Sequence, residues 1–163
     1  MATFVEAITA LNLEEGVVSR WGTQGLDALV LGRSPDTADT TLSALWKIEA
    51  PEDIATPYVV FQVIGFAPES RNSGLSKTRI GAIFRAGLRF NCYADDDATA
   101  GAMARNVMNN FDNASFSLVT VPAGLATVIQ CQRVDDFADK VGDDEWSHTV
   151  LYEVVVDAKQ EKV

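Results

Sequence analysis

The stretch from Ile80 to Phe111, which opens with IGAIFRAGLRFNCY (80–93), decides the fold of this chain. Every second residue from Ile80 to Cys92 is apolar, whereas the residues between them include Arg85 and Arg89. This alternation is typical of a β-strand with one buried face and one face in water. Apolar side chains then recur at positions 100, 103, 104, 107, 108 and 111, on one face of a helix. The segment therefore predicts a strand that leads directly into an amphipathic helix.

Other apolar runs predict four more strands and a second helix. The spacing of Thr3 and Glu6 suits a capping box at the start of the N-terminal helix, which could continue to Trp21. Strands are predicted at 44–48, 58–64, 125–134 and 146–156, and 135–144 is interpreted as an acidic connection. The prediction is an α+β fold, with an antiparallel or mixed sheet of about five strands, two main helices on one face and a long projecting hairpin loop at 66–77.

The length and composition favour one acidic globular domain. The chain has 163 residues, so we expect a single domain (1–163) whose charged tail, 158–163, is flexible. A net charge of −10 argues against general nucleic-acid binding, which needs Lys and Arg to neutralise phosphates. It fits a soluble surface, or the wall of a channel through which DNA slides. No secretion signal or membrane-length apolar run is recognisable, so we expect synthesis in a cytoplasm and no membrane partner.

Residues that could carry catalysis are sparse. The single histidine, His148, alternates with large apolar residues and is interpreted as structural. Cys92 and Cys131 lie in predicted strands, where a free thiol acts as a small apolar residue. The run Asp95–Asp97 could bind a hard cation, but it also stands where a helix start favours negative charge. We therefore expect no enzyme activity, no metal and no cofactor.

Three arginines on the polar face of the signature strand form a candidate subunit interface. Arg79, Arg85 and Arg89 stand out in a chain that is acidic overall. They could pair locally with Asp and Glu, or they could meet an acidic patch on another subunit, where Arg is well suited to interface ion pairs. Gly81 and Gly87 on the same face would let another backbone approach closely.

The chain resembles the tail-completion proteins, or tail terminators, of tailed phages. The resemblance rests on LWKIEAP (45–51) followed by PYVVFQVIG (57–65), a Ser-containing loop, RFNCYA (89–94) and a helix that contains Ala98, Ala102 and Val107. It extends from about Phe4 to Tyr152. In the same order as in that family, a strand pair, a loop, a strand and a helix follow one another.

The resemblance implies a small α+β subunit that assembles into a ring, most often a hexamer, at the head-proximal end of the tail tube. Such a ring ends tube polymerisation and joins tail to head, so its partners would be the tube protein and the neck proteins, with DNA passing through without specific binding. It would be made in the host cytoplasm and located in the virion. The family's long hairpin loop faces the channel or a neighbouring subunit, and by order it corresponds to the candidate residues Glu69, Ser70, Arg71, Asn72, Ser73, Gly74 and Lys77.

Two other interpretations remain open from the sequence. Within the same class, the protein could be another neck component, a head–tail connector, or the tail-tube subunit. In a different class, it could be a cytoplasmic ligand-binding module or an enzyme of an unrecognised type. A ligand-binding module should gain thermal stability from a small ligand, whereas a ring protein should gain it from partner proteins.

Overall fold

The structure, a computed structural model, describes residues 8–27, 45–50, 52, 54–68, 79–118, 120 and 126–161. Its core is a six-stranded mixed sheet that curls into a half-barrel, with helices packed against it. The elements are α1 (Ala10–Thr23), β1 (Leu45–Lys47), β2 (Tyr58–Pro68), β3 (Arg79–Ala94), α2 (Asp97–Phe111), β4 (Phe116–Ser117), β5 (Ala126–Gly142) and β6 (Glu145–Glu161). The predicted α+β class is confirmed.

The strand order across the sheet is β1-β2-β3-β6-β5-β4. β1 pairs with β2 in parallel, and all other neighbours are antiparallel. The sheet has six strands instead of about five because Phe116–Ser117 pairs with β5. Two residues are too short to show a period of two, so the sequence pattern does not predict this strand.

The signature strand is the centre of the sheet. β3 pairs with β6 from Arg79↔Glu161 to Ala94↔Trp146 without a register shift. Its even-numbered residues from Phe84 to Ala94 are all buried, as the alternation predicts. We call the side of the sheet that carries these residues the inner face, and the opposite side the outer face.

Both helices pack on the inner face around Phe90. The Phe90 ring lies 6.4 Å from the ring of Trp21 in α1 and 4.8 Å from the ring of Phe111 in α2, measured between centroids. Phe61 and Tyr152 complete this aromatic cluster at 6.3 and 6.1 Å. The predicted placement of two helices on one face of the sheet agrees with these contacts.

Each helix start has a polar cap. The backbone N–H of Thr9 donates to Asn12 Oδ1 at 2.8 Å ahead of α1, whereas the predicted box at Thr3 and Glu6 lies outside the described residues. Ahead of α2, Asp96 accepts from the Thr99 N–H at 2.7 Å and from the Thr99 hydroxyl at 2.8 Å. These bonds hold the pKa of Asp96 below its usual value. The capping interpretation of the Asp95–Asp97 run is thus supported for its middle member.

Gly16 lies within α1 because that helix packs closely on the segment around β4. A Cβ at Gly16 would lie 2.7 Å from Leu118 Cδ2, inside ordinary contact distance. A glycine inside this helix is therefore explained by packing, since only a residue without a side chain leaves Leu118 in its present position.

The hairpin formed by β5 and β6 differs from two of the predictions. Residues 135–142, predicted as an acidic connection, are paired strand, and only the turn around Asp143–Asp144 separates β5 from β6. The charged side chains fit this strand because it is at an exposed edge of the sheet, where no buried face demands apolar residues. β6 also continues to Glu161, past the predicted end of that strand at 156, and Ala158 is buried, whereas the flexibility of the tail 158–163 stays a prediction.

The first hairpin joins β2 and β3, which are antiparallel neighbours as predicted. β2 is longer than the predicted strand 58–64 and reaches Pro68. The projecting loop between the strands, with the candidate residues Glu69, Ser70, Arg71, Asn72, Ser73, Gly74 and Lys77, lies outside the described residues.

Candidate functional site

The outer face of the sheet is the candidate site because its central strand carries the predicted arginines. Cross-strand pairing aligns residues in rows, and side chains of one row lie on the same face. One outer-face row contains Gln62, Arg89, Leu151 and Asp135, and the next contains Val60, Asn91, Thr149 and Phe137. Polar, charged and apolar side chains are thus mixed on this face.

Arg85 and Arg89 both make local contacts. Arg85 forms an ion pair with Glu153, and the two side chains are 50% and 47% exposed. Arg89 is half-buried, and its Nε donates to Asn91 Oδ1 at 3.0 Å. Only the backbone of Arg79 is described, and it pairs with Glu161. Because an exposed ion pair is weak and easily exchanged, the contact with Glu153 leaves Arg85 able to meet another carboxylate.

A hydrogen-bonded network fixes the end of the outer face near the β5–β6 turn. Asn91 Oδ1 accepts a second bond, from the Thr149 hydroxyl at 2.8 Å, and Thr149 is only 3% exposed. The rings of Tyr58 and Tyr93 stack at 5.0 Å, and the Tyr58 hydroxyl donates to Glu145 at 3.2 Å. These side chains therefore have hydrogen-bond or stacking partners within the subunit, so this part of the face is already formed in one copy.

Two tyrosines and two cysteines of this sheet are held in their neutral forms. Burial, followed by the charge of Glu145, raises the pKa of Tyr58 to about 12. Burial also raises the pKa of Tyr93, partly offset by the nearby Arg89. On the inner face, burial raises the pKa of the Cys92 and Cys131 thiols to about 12 each. A thiol with such a pKa is a poor nucleophile at neutral pH.

Other chemistry-bearing residues have structural partners. His148 Nε2 lies 2.9 Å from Asp136 Oδ2, which agrees with the structural interpretation of this histidine. Within the described residues, no cluster of three or more His, Cys, Asp or Glu side chains could hold a metal ion. A groove of about 190 Å³ between α1 and β4 contains Arg20, but this guanidinium donates to the Asn110 carbonyl at 2.9 and 2.7 Å. No helix among the described residues has the length and apolar character to cross a bilayer.

The outer half of β5 is a functional candidate that sequence reasoning missed. Residues 132–142 are exposed throughout, although they form a continuous paired strand. Large apolar side chains remain exposed there, at Val134 (65%), Phe137 (44%) and Val141 (54%). The signal was present in the sequence as apolar residues scattered among the aspartates, but Val134, Phe137 and Val141 fall at i, i+3 and i+7, a spacing that favours a helix and not a strand.

Comparison with known proteins identifies the fold. No protein-family model matches the chain, and no curated protein matches it. Among solved structures, a chain of the virion of a native gene transfer agent (GTA) particle has a TM-score of 0.63 and 19% sequence identity; the match covers 94% of this chain and 100% of that chain. A second solved structure has a TM-score of 0.47 and 15% identity, with 93% and 96% covered, and supports no inference. The chain thus shares its fold with a component of that phage-like particle.

Proposed function

We propose that this protein is a structural component of a virion, and specifically a tail-terminator-type subunit. In this role, copies assemble into a ring, with six as the expected number, at the head-proximal end of a tail tube. The ring ends tube polymerisation and joins tail to head, with neck and tube proteins as its partners. DNA passes through it without specific binding.

The observation that carries this proposal is the fold match to a gene transfer agent virion. The match extends over nearly all of both chains, so the whole fold of this protein is accounted for by a virion component. The motifs at 45–51 and 57–65, which resemble tail terminators, narrow the role within the virion. They lie in β1 and β2, at one edge of the sheet.

The charge distribution of the described residues is compatible with a ring. A closed ring needs two different, complementary surfaces on each subunit. Arg85 and Arg89 supply positive charge on the outer face of β3, whereas Asp135 and Asp139 supply negative charge on β5. A net charge of −10 also suits a channel wall that must not bind DNA.

Counting the copies of this polypeptide per particle tests the proposed function. Quantitative mass spectrometry of purified particles from the source should give a number close to one small ring, about six under simple cyclic symmetry. A number many times larger would indicate a tube subunit. Absence from the particle would overturn the virion role.

Reversing the charge of Arg85 tests its place in the interface. Arg85→Glu should weaken ring formation, measured by sedimentation, because an acidic partner surface would then be repelled. Arg105→Glu, at an exposed position on α2, is the matched control and should assemble normally. Equal assembly of the two variants would remove Arg85 from the interface.

The second candidate is a tube subunit or another neck component. The same fold match favours it, because a likeness to a virion chain does not distinguish among virion proteins. Incubation with purified tube protein separates the two roles. A terminator should bind to the ends of existing tubes and stop their growth, whereas a tube subunit should lengthen them.

A further inference from the structure

The groove between α1 and β4 contains hydrogen-bonding groups that the subunit itself does not use. Its lining comes from one side of α1 and from β4, and it consists of Gly16, Ser19, Arg20, Thr23, Gln24, Phe116 and Ser117. The volume of about 190 Å³ is below the ~300 Å³ at which pockets for drug-sized ligands begin. A polar groove of this size suits a few side chains of another protein better than a large cofactor.

Arg20 supplies the groove with a positive charge whose position is fixed by the fold. Its Nε and Nη2 donate to the Asn110 carbonyl, and its guanidinium lies 5.7 and 5.3 Å from the ring centroids of Phe111 and Phe116. A guanidinium has five N–H donors, so three remain, and they form no other hydrogen bond with a described residue. Its full charge also exceeds the roughly half-unit negative charge at the end of α1. The groove therefore favours a carboxylate, which matches guanidinium donors.

The edge of β4 adds main-chain groups to the same groove. The Leu118 N–H donates to the Ala126 carbonyl at 3.0 Å, so Leu118 and, two residues earlier, Phe116 direct their backbone groups towards β5. The N–H and C=O of Ser117 therefore point away from β5, and within the described part of the chain they have no hydrogen-bond partner. Ser117 is exposed, so these groups are accessible to the backbone of a partner.

An acidic turn lies at the far end of the hairpin to which β4 is attached. Asp143 and Asp144 form the two-residue turn between β5 and β6, and both are exposed. Neither forms a hydrogen bond or an ion pair with a described residue, whereas the next acid, Glu145, accepts from the Tyr58 hydroxyl. The turn therefore presents two carboxylates that have no cation within the described residues.

One copy cannot place its turn in its own groove, because the two lie at opposite ends of the same hairpin. At the groove end, Ser117 pairs with Thr127, and Thr127 pairs with Asp157 of β6. At the other end, Gly142 pairs with Glu145 beside the turn. The two ends are 157 − 145 = 12 residues apart along β6, or about 40 Å in an extended strand. A paired hairpin does not fold back over this distance, so the turn can reach only the groove of another copy.

We propose that the Asp143–Asp144 turn of one copy docks in the groove between α1 and β4 of the next copy, where Arg20 binds its carboxylates. The inference rests on the proposed ring and names a head-to-tail contact within it. Such a contact joins two different surfaces, which is the kind of interface that a closed ring repeats. The side chains of Ser19 and Gln24 can donate further hydrogen bonds to the carboxylates, and the open edge at Ser117 can pair with the backbone of the turn.

Disulfide cross-linking through introduced cysteines tests the contact. The variant Ser19→Cys/Asp144→Cys, incorporated into particles and oxidised with copper phenanthroline, should give a ladder of covalent multimers on non-reducing denaturing gels. A disulfide needs Cα atoms about 4.4–6.8 Å apart, so the ladder reports close contact. The native thiols Cys92 and Cys131 are fully buried and should not react in the folded protein. Leu11→Cys/Asp144→Cys is the matched control, because Leu11 is 52% exposed on the same helix but ~12 Å from Ser19 along its axis.

Each outcome separates this inference from the proposed function. A ladder from the first variant and none from the control supports the docking of the turn in the groove. Particles that contain the protein but give no ladder, or equal ladders from both variants, overturn this contact and leave the virion role intact. Particles that lack even the unaltered protein overturn the virion role and, with it, the contact.

A second variant avoids dependence on cross-linking. Asp143→Asn/Asp144→Asn should weaken self-association about tenfold in sedimentation, because the charge-assisted bonds to Arg20 are lost. Glu49→Gln/Glu52→Gln, which removes two exposed carboxylates near β1 at the other edge of the sheet, is the matched control and should not weaken it. In a chain with a net charge of −10, removing acids lowers the repulsion between copies, so weaker association is specific to the contact. A loss of equal size in both variants, or in neither, would exclude the turn from the contact.

Discussion

β3 and β5 are strands of almost equal length in one sheet, with 16 and 17 residues, yet they differ in position, register and burial. β3 is central and pairs with β6 without a shift, whereas β5 is near an edge and has three shifts. A one-residue slip in β3 would move Phe90 and its alternating neighbours out of the core, so the register there is strongly determined. The outer half of β5 has no buried face to protect, and it can accommodate extra residues.

The largest expected effect is the difference in stability loss when the same substitution, Phe to Ala, is made in each of the two strands. Phe90→Ala should lower the free energy of unfolding by about 3–5 kcal/mol, because it empties the centre of the aromatic cluster. Phe137→Ala, on the exposed half of β5, should cost less than about 1 kcal/mol in the isolated protein. Urea denaturation of both variants measures the difference, and comparable losses would contradict the contrast drawn here.

The second-largest effect is expected at alkaline pH, which should lower the free energy of unfolding through the two buried thiols of the inner face. Burial raises the pKa of the Cys92 and Cys131 thiols to about 12 in the folded protein, against 9.0 for an exposed thiol. The unfolded chain therefore releases protons above pH 9 that the folded chain keeps, so stability is full below about pH 8 and falls as pH rises. The expected loss between pH 8 and pH 10 is about 3 kcal/mol for the two thiols together.

Urea denaturation at several pH values measures this loss. Cys131→Ala should roughly halve it, because one of the two thiols is then absent. Tyrosine ionisation adds a smaller loss that begins near pH 9.5, since the pKa of Tyr58 is raised from 10.0 to about 12. Stability that stays constant from pH 8 to pH 10 would show that the thiols are not as buried as described.

The junction between the buried and exposed halves of β5 should give an intermediate effect. The Tyr152 hydroxyl donates to Asp112 Oδ1 at 2.7 Å, and Asp112 Oδ2 lies 3.3 Å from Arg133, at the second bulge. Tyr152→Phe should cost about 1 kcal/mol, because it leaves a partly buried carboxylate without one donor.

Measurement of hydrogen exchange sharpens that prediction. Amides around the second bulge of β5 should exchange faster in Tyr152→Phe, while those of β3 should keep their protection. If the loss of protection spread evenly over both strands, Tyr152 would be acting on the core and not on the junction.

The smallest effect is expected at the bulges themselves. Val134→Thr should change the free energy of unfolding by less than about 0.5 kcal/mol, because Val134 is 65% exposed and unpaired in the register. Val154→Thr, a β-branched residue of β6 that is fully buried, is the matched comparison and should cost more than 1 kcal/mol. Equal effects would mean that the β5 edge is covered in the isolated protein.

The contrast between β3 and β5 also explains which parts of the fold were predictable. The alternation around Phe90 and the helical spacing around Met103 both arise from burial on one side, so β3 and α2 can be identified from the sequence. Residues 135–142 carry no strand alternation, because this strand is held by its backbone bonds to β6 and both of its faces touch water. The acidic composition therefore indicated a connection where the structure has a strand.

The residues of the candidate site also fall into a group that the sequence identified and a group that it did not. The sequence identified Arg85 and Arg89 as residues of one polar strand face, and the structure confirms that both lie on the outer face. It did not identify Asp135, Phe137 and Asp139 as a second surface, since their common face exists only once β5 is paired with β6.

The sequence by itself determined the α+β class, the central strand, the helix that follows it and the absence of familiar catalytic motifs. These depend on local periodicity and residue type, which the order of amino acids contains directly. The tertiary structure alone decided the strand order, the bulged edge and the rows that align acids, arginines and exposed apolar residues. The physical reason is that pairing between distant strands is determined by the whole buried core, whereas an exposed edge leaves no periodic trace in the sequence.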